Sequence, residues 1–443
     1  MGEEENTSVK NSLMVSESSY KEEELQLIPG LPDEIAMECL VRVPYQFHSN
    51  MKSVCHTWQN SISHPYFYQQ RRKSGTSEHL VCLVQPLPQS DSIDLLTTAT
   101  ATAAVTNKED KQIQSPPQFA LSIYNATHDI WQRTRPQGGI PMFCQCLALP
   151  SSRKVLLLGG WDPTTLEPVP DVYILDLTGV GGCRWRRGAS MSVSRSFFAC
   201  ALVGPSKVFV AGGHDGQKNA LRSAEVYDVD KNEWIKLPDM IEERDEGQGL
   251  AWEGDSRFWV VSGYGTDSQG QFRFDAECYD PDTGSWSKVD GVWPFSNTSP
   301  RGATATVSIN RNQNQWWWFL GGEQHQLQQQ RRIGGEVKEN ENMRWEIVNS
   351  ILLPDCITGT NPCMISLGEG AQEIKRNDKV INKHRVFAMS GSGRRSPSSC
   401  IECDCQGAFI LERDCNNGST KWDHIHTPSG FSGFPFSACY LTI

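Results

Sequence analysis

Short apolar runs that end in glycine recur along most of the chain, and they predict β-strands joined by tight turns. Five of these junctions are VLLLGG at 155–160, VFVAGG at 208–213, WVVSG at 259–263, WWWFLGG at 316–322 and VFAMSG at 386–391. Their spacing of roughly 50 to 70 residues is the signature of a repeat array. Neighbouring units of such an array bury the core between them and leave one face of loops free for binding.

A second regularity is a tyrosine followed seven residues later by a tryptophan, which occurs as Tyr124/Trp131, Tyr227/Trp234 and Tyr279/Trp286. Turn-forming residues such as DVDKNE at 228–233 separate the two aromatics, so we expect them on consecutive strands. We also expect the pair to bury area between neighbouring units, with the polar ends hydrogen-bonded. This role is architectural, not catalytic.

Complete repeat units can be followed from first strand to tryptophan over 144–185, 197–234, 249–286, 303–345 and 364–422. The segments HLVCLVQ (79–85) and FALSIYN (119–125) supply later strands of a unit that lacks its first strand. FPFSACYLTI at 434–443 resembles such a first strand. Joining the two chain ends would complete a sixth unit and remove exposed sheet edges. The sequence therefore predicts a mainly β protein, a six-bladed β-propeller over 79–443 that is closed by its C-terminal strand.

The N-terminal part of the chain has a different pattern. Residues 1–24 are polar and acidic, which predicts a disordered tail. Over 25–73 the apolar residues follow helical spacing, and Pro44 ends the first of three predicted short helices. Such a unit has a thin core, so we expect partner binding to add to its stability. Within the propeller, the Thr/Ala-rich segment at about 88–117 predicts a disordered insert.

Composition and charge narrow the classes of function. The net charge of -11 argues against general nucleic-acid binding, which needs cations to neutralise phosphates. No apolar stretch approaches the roughly 20 residues of a membrane span, so we expect no membrane partner. The first residues lack a basic segment followed by an apolar run, so we expect no secretion. The 15 cysteines are then reduced thiols, and the expected location is cytoplasmic and/or nuclear.

The sequence contains no recognised catalytic motif and one group of residues that could bind a metal. The sequence has no glycine-rich phosphate loop, no HExxH and no GxSxG, so we expect a non-catalytic protein without a cofactor. A zinc site is suggested by Cys400, Cys403, Cys405 and Cys415, with His424 and His426 nearby. However, Cys403 and Cys405 alternate along a predicted strand and should face opposite sides. Ordinary thiols are the alternative, and we expect no metal.

The glycine pairs and the Tyr-x6-Trp spacing resemble the kelch repeat. The segment over 25–73 resembles an F-box, with matching pieces GLPDEI at 30–35, LVRVP at 40–44 and VCHTW at 54–58. The combination is similar to plant F-box/kelch-repeat proteins over nearly all of residues 25–443. The resemblance implies a substrate-recognition subunit of an SCF-type E3 ubiquitin ligase, which recruits a protein target for ubiquitination and proteasomal degradation. One group of these proteins targets phenylalanine ammonia-lyase and related phenylpropanoid enzymes, and some members act on hormone-response regulators.

The resemblance also implies that the F-box binds a Skp1-type adaptor and, through it, a cullin–RING ligase. The positions that match adaptor-binding positions are Leu31, Pro32, Ile35, Leu40, Val43, Pro44, Val54, Cys55 and Trp58. A small helical unit with this many apolar residues is not expected to bury them all internally. The alternative is that they pack the core of the unit itself, above all Leu40 and Trp58. Ile35 stands where leucine is more usual, a conservative change.

The target should bind the loops of one propeller face, and the resemblance places these loops at 161–170, 214–223, 264–273, 323–335 and 392–399. Near the start of successive repeats, Arg195, Arg244 and Arg301 could grip acidic side chains of a target or could brace a turn of the repeat. The insert and a glutamine-rich loop at 324–332 would alter selectivity. Two other functions stay open: a kelch scaffold acting outside a ligase, and a secreted copper radical oxidase-like kelch enzyme.

Overall fold

The fold is described from a computed structural model. The structure describes residues 26–88, 116–179, 182–252, 255–301, 304–308, 315–321, 326–333, 344–354, 362–367, 383–390, 407–414 and 418–443. The predicted acidic tail, most of the predicted insert, the loop at 392–399 and the cysteines of the suggested zinc site lie outside these ranges.

The N-terminal unit contains four α-helices: α1 Asp33–Leu40, α2 His48–Lys52, α3 His56–Ser63 and α4 Pro65–Lys73. The prediction of three helices was wrong, because the second predicted helix is divided near Cys55. The Cys55 backbone is extended, and its sulfur accepts the Trp58 backbone N–H at 3.5 Å, which starts α3. Pro65 occupies the first turn of α4, where its missing N–H costs nothing. None of the helices among the described residues has the length and apolar character of a membrane span.

Apart from three short 3-10 helices at Tyr45–Phe47, Thr266–Ser268 and Ser429–Phe431, the remaining regular structure of the described residues is β. The strands of the first half are β1 His79–Pro86, β2 Phe119–Asn125, β3 Ile130–Thr134, β4 Gln145–Leu149, β5 Lys154–Leu158, β6 Val172–Asp176, β7 Arg184–Arg187, β8 Ala199–Val203, β9 Lys207–Ala211, β10 Ala224–Asp228 and β11 Glu233–Leu237. Those of the second half are β12 Gln248–Leu250, β13 Phe258–Val261, β14 Ala276–Asp280, β15 Ser285–Val289, β16 Thr304–Ser308, β17 Gln315–Gly321, β18 Gln326–Ile333, β19 Arg344–Leu352, β20 Cys363–Ser366, β21 Lys383–Met389, β22 Ala408–Asp414, β23 Thr420–Ile425 and β24 Ser437–Thr442.

These strands form four-stranded antiparallel sheets, each of which runs from an innermost to an outermost strand. The orders are β24-β1-β2-β3, β4-β5-β6-β7, β8-β9-β10-β11, β12-β13-β14-β15, β16-β17-β18-β19 and β20-β21-β22-β23. The predicted pairing of the two chain ends is confirmed, since β24 pairs with β1 from His79↔Thr442 to Val84↔Ser437. The first sheet therefore joins both ends of the propeller.

The prediction of a six-bladed propeller was wrong. Buried side chains of five sheets form the clusters within and between neighbouring sheets, and from the sheet β16–β19 Ile351 packs with Met364 and Leu411 of the next sheet. The sheet β16–β19 is described by its backbone pairing, and side-chain burial is described there only from Ile351 onward. The described packing supports five blades and one further four-stranded sheet.

The prediction of a glutamine-rich loop at 324–332 was also wrong. Residues 326–333 form strand β18, which pairs with β17 on one side and β19 on the other. The candidate loop at 323–335 is therefore mostly strand, because a polar sequence satisfies backbone pairing as well as an apolar one.

The aromatic pairs lie directly opposite one another on the two outer strands of a sheet, as predicted. Tyr227 pairs with Trp234 in register, and their ring centroids are 4.9 Å apart. The indole N–H of Trp234 donates to the backbone oxygen of Ala189, in the segment that leaves the preceding sheet, at 2.8 Å. Trp286 repeats this bond to the backbone oxygen of Pro238 at 2.8 Å. The expectation of hydrogen-bonded polar ends is confirmed, and each tryptophan links two neighbouring sheets.

The helical unit and the start of each innermost strand lie at opposite ends of the propeller. The main chains of Glu78 and Ile443 exchange hydrogen bonds of 2.8 and 3.0 Å where β24 ends and the helical unit begins. Phe143, Phe197 and Phe436 each precede an innermost strand, and Phe143 contacts both others at ring-centroid distances of 5.1 and 4.6 Å. These three residues therefore share the end away from the helices.

Candidate functional site

The residues predicted to contact an adaptor fall into three groups by exposure. Pro32, Ile35, Val54 and Cys55 are exposed, and Ile35 and Val54 keep 52% and 62% of their surface in contact with solvent. Leu31, Val43, Pro44 and Trp58 are half-buried, and Leu40 is buried. Phe47, which the sequence reasoning missed, is 45% exposed. The helical unit thus leaves several large apolar side chains uncovered.

Leu40 and Trp58 act within the unit, as the alternative interpretation proposed. Leu40 belongs to the core cluster that joins the helices to the first two sheets, and Trp58 packs against it. The Trp58 indole N–H also donates to the Leu27 backbone oxygen at 2.6 Å, which fixes the segment before α1. Their contribution to an adaptor interface stays a prediction.

A buried ion pair joins the helical unit to the propeller. Arg71 of α4 donates to the backbone oxygens of Val41 and Val43 at 2.8 and 2.7 Å and to Glu78 at 2.7 Å. Glu78 also accepts the Tyr45 backbone N–H at 2.6 Å and the side-chain amide of Asn125 at 2.5 Å. The Glu78 carboxylate is therefore bonded to α4, to the segment between α1 and α2, and to β2. Glu78 lies outside the F-box motifs, so no sequence pattern predicted its role in the junction.

Further contacts make this junction broad. Lys52 of α2 donates to the Thr178 backbone oxygen, and the Tyr45 hydroxyl lies 3.2 Å from the sulfur of Cys183. The Arg153 guanidinium lies 4.0 Å from the centroid of the Tyr68 ring. All of these propeller residues follow or precede strands at the same end of the molecule. The helical unit consequently has a defined orientation on the propeller.

Two of the three arginines proposed to grip a target are fully buried. Arg195 donates to the backbone oxygens of Gly212 and Ser223, both at 2.9 Å, and forms a 3.3 Å ion pair with Glu225. Arg244 forms ion pairs with Asp275 at 2.8 Å and with Glu277 at 2.9 Å. This geometry is that of a brace within the repeat, which was the alternative role considered for these residues.

Arg301 is placed differently, since its side chain is only half-buried and lines the central channel. Its Nη1 donates to the Phe198 backbone oxygen at 3.0 Å, and its guanidinium lies 5.0 Å from the centroid of the Phe197 ring. Among the described residues no carboxylate lies within ion-pair distance of it. Arg301 is thus the member of the three that faces open space.

The end of the channel away from the helices carries an aromatic cluster that the sequence reasoning missed. We define the mouth as Phe143, Trp161, Phe197, His214, Arg301 and Phe436. His214 stacks on Phe197 at 5.4 Å, and its Nδ1 lies 2.8 Å from Asp245 Oδ2. The sequence signal for these residues was their position: Trp161 and His214 directly follow a glycine step, and Phe143 and Phe197 each stand two residues before an innermost strand.

Behind the mouth lies a cavity of about 230 Å³ between the innermost strands. Its walls are mixed: they include the apolar Leu147, Leu202 and Met364, while Gln145, Gln248, Arg301 and Ser437 are polar, and slightly more of the exposed wall is polar than apolar. Several buried cysteines lie on these strands, and the sulfurs of Cys146 and Cys439 are 3.3 Å apart. Burial raises the pKa of both thiols and makes them poor nucleophiles. The cysteines among the described residues are free thiols, as predicted.

Little of the suggested zinc site can be compared with the structure. His424 lies on β23 opposite Phe409, with ring centroids 5.0 Å apart. Within the described ranges, no cluster of His, Cys, Asp or Glu side chains is arranged to hold a metal ion.

Comparison with known proteins gives two matches to family models and several full-length relatives. Residues 28–70 match the F-box domain, and residues 195–241 match the kelch motif. The F-box/kelch-repeat protein SKIP20 of Arabidopsis thaliana is 44% identical over 94% of this chain and 97% of its own length. Another Arabidopsis thaliana F-box/kelch-repeat protein is 45% identical over 93% of this chain and 94% of its own. A third is 37% identical over 60% of this chain and 70% of its own.

Proposed function

This chain belongs to the plant F-box/kelch-repeat family, and we propose that it is the substrate-recognition subunit of an SCF-type E3 ubiquitin ligase. The helical unit docks a Skp1-type adaptor, and through it a cullin–RING ligase, while the propeller holds a protein target. The chain promotes ubiquitination by bringing the target close to the ligase, because a bound target has a high effective concentration of lysines near the charged E2. No active site of its own is needed.

The observation that carries this proposal is the uncovered apolar surface of the helical unit. Ile35, Phe47 and Val54 are each 45% or more exposed, although the unit packs its other side against the propeller. Large apolar residues exposed together on a small unit favour a protein partner. Leu31 and Pro32 directly precede α1; Leu31 is partly covered and Pro32 is exposed.

Co-purification with a Skp1-type adaptor tests the docking. We expect Leu31→Ala/Pro32→Ala and Ile35→Asp/Val54→Asp to recover at least tenfold less adaptor than the wild type. Ile235→Asp is the matched control, because Ile235 is 50% exposed on β11 of the propeller. Equal recovery by all variants would exclude this docking surface and favour a scaffold that acts outside a ligase.

The opposite ends of the fold support a division of labour. The helices lie at one end of the propeller and the mouth lies at the other, so a bound adaptor leaves the mouth accessible.

We propose that the chain acts in the cytoplasm and/or nucleus, and imaging of the full chain fused to a fluorescent protein tests this location.

For the target we propose a phenylpropanoid enzyme such as phenylalanine ammonia-lyase. This part rests on the resemblance to one group of the family. The direct test is binding of purified phenylalanine ammonia-lyase to the full chain in complex with its adaptor, followed by in vitro ubiquitination. The full chain is required, because Arg71 of the helical unit is part of the junction with the propeller. Absence of binding at micromolar concentrations would exclude this enzyme as the target.

A further inference from the structure

The repeat shows how an arginine before an innermost strand is normally used. Arg195 stands four residues before β8 and pairs with Glu225 on β10, the third strand of the same sheet. Arg244 stands four residues before β12 and pairs with Glu277 on β14, again the third strand. In both repeats the buried cation is neutralised by an acid from its own sheet.

The next repeat keeps the arginine but lacks the acid. Arg301 stands three residues before β16, and the third strand of its sheet, β18, reads QLQQQRRI without any acidic residue. Glu225 and Glu277 each stand two residues before the position that pairs with the outer-strand tryptophan. The same position on β18, counted from Arg332↔Trp345, is Gln330. A glutamine therefore stands at the register position that a glutamate has in the two preceding sheets.

Without that acid, Arg301 reaches across the mouth to the sheet β8–β11. The Phe198 backbone oxygen is the hydrogen-bond acceptor that the described residues offer it, and the Phe197 ring lies under its guanidinium. Glu246 and Asp245 lie close enough for their charges to act on Arg301, but each is hydrogen-bonded to another side chain: Asp245 to His214 at 2.8 Å and Glu246 to the Tyr264 hydroxyl at 3.2 Å. These two contacts fix the Arg301 guanidinium, and its other N–H groups can donate to a bound ligand.

The cavity behind Arg301 supplies the second half of a binding site. Gln145 donates to the same Phe198 oxygen at 2.9 Å and lines the cavity together with Arg301 and Phe436. Deeper in, the lining becomes aliphatic, with Leu147, Leu202 and Met364. A cation at the entrance of a cavity with aliphatic side chains in its wall matches a ligand that carries a carboxylate beside an apolar side chain.

We propose that Arg301 binds a carboxylate of the target protein at the mouth, while an adjacent aliphatic side chain of the same segment enters the cavity. This proposal rests on the proposed function, since it names the chemistry by which the propeller recognises a target. The carboxylate comes either from an Asp or Glu side chain or from the end of a chain. An arginine fork suits both sources, because both present two oxygens in one plane.

Selection from random peptides tests the proposal on the full chain in complex with its adaptor. One library presents peptides with a free C-terminal carboxylate, and a second holds them internally between linkers. The wild type is compared with Arg301→Gln, Arg301→Glu and the control Arg187→Gln, an exposed arginine on the outermost strand β7 that pairs with Asp171. Adaptor recovery is measured for every sample, so that loss of docking is recorded separately from loss of peptide binding.

We expect the wild type and Arg187→Gln to enrich peptides with an acidic group next to an aliphatic residue. Enrichment from the internal library indicates a side-chain carboxylate, and enrichment from the free-end library alone indicates a chain terminus. Arg301→Gln should bind an enriched peptide at least tenfold more weakly, a change of about 1.4 kcal/mol. Arg301→Glu should instead enrich lysine or arginine. Unchanged selection by Arg301→Gln, or the absence of acidic groups from wild-type peptides, would overturn the proposal even where adaptor recovery is normal.

Discussion

Arg71 and Glu78 form a 2.7 Å ion pair between two side chains that are each 1% exposed, at the point where the helices meet the propeller. Arg71 also holds the backbone after α1, and Glu78 holds β2 through Asn125. The pair therefore connects the proposed adaptor surface with the sheet that joins both chain ends. A ligase subunit benefits from such a junction, because a fixed orientation keeps the target end at a constant distance from the ligase.

The first prediction is that Arg71→Met destabilises the whole chain. The substitution leaves the Glu78 carboxylate buried without its cation, which costs about 3–5 kcal/mol. Urea unfolding followed by tryptophan fluorescence measures the change. Arg72→Met is the control, because Arg72 is exposed on the same helix and should change the free energy of unfolding by less than about 0.5 kcal/mol. Similar values for the two variants would show that the pair is not a stabilising element.

The second prediction concerns acid. Burial, and then the charge of Arg71, lower the pKa of His48 to about 3 from its ordinary 6.5. The neutral ring is favoured in the folded state, so between pH 6.5 and 3 only the unfolded chain takes up this proton. Stability from His48 is present above pH 6.5 and decreases by about 1.4 kcal/mol per pH unit as the pH falls through that window.

His48→Gln removes this titration and provides the comparison. The difference in unfolding free energy between the wild type and His48→Gln should shrink as the pH is lowered from 7 to 4. Burial, and then the charge of Arg413, lower the pKa of His384 to about 4. Because His384 is present in both proteins, it contributes equally to their two stability curves. Parallel stability curves for the two proteins would contradict a buried neutral His48.

Local pattern made much of the fold predictable. The glycine steps, the Tyr–Trp spacing and the resemblance of residues 434–443 to 197–202 led to strands that the structure contains, including the pairing of β24 with β1. Turn chemistry and side-chain alternation act over a few residues, and a repeat shows them several times. The strand β18 escaped prediction, because its run of glutamines has no apolar alternation.

The candidate site was less predictable, because the state of a charged residue depends on distant partners. Arg195, Arg244 and Arg301 look alike in the sequence, yet Glu225 and Glu277 neutralise the first two from strands about thirty residues away. Glu78 likewise looks like an ordinary polar residue before a strand. Its burial follows from the packing of α4 against the end of β24, which no local pattern encodes.

The third prediction separates close packing from backbone strain at glycine. A Cβ on Gly213 would lie 2.3 Å from the Ser196 backbone oxygen and 2.9 Å from the Phe198 backbone nitrogen. Gly204 also has a positive φ of 65°, but a Cβ there would meet nothing within 4 Å. Gly204→Ala should cost about 1–2 kcal/mol of strain, and Gly213→Ala should cost clearly more. Thermal unfolding of both variants checks this order, and equal losses would rule out the close approach.

The fourth prediction concerns the tryptophan links between sheets. Trp234→Phe keeps a ring opposite Tyr227 but removes the N–H that donates to the Ala189 oxygen. We expect a loss of about 0.5–1.5 kcal/mol, the usual net value of one hydrogen bond. Trp286→Phe removes the equivalent bond to Pro238 and should cost a similar amount. A loss near zero in both variants would mean that solvent replaces these bonds without cost.

The last prediction contrasts two arginines that the sequence does not distinguish. Arg195→Met leaves Glu225 buried without its cation, so we expect a loss of about 3–5 kcal/mol of stability. Arg301→Met removes a half-buried cation that has no acidic partner among the described residues, so we expect a change within about 1 kcal/mol. Peptide binding should show the reverse order, with Arg301→Met reducing affinity while the folded fraction of Arg195→Met binds as the wild type does. Urea unfolding and binding assays on the same two preparations measure both effects. A large loss of stability in Arg301→Met would mean that this arginine, too, is a brace of its repeat.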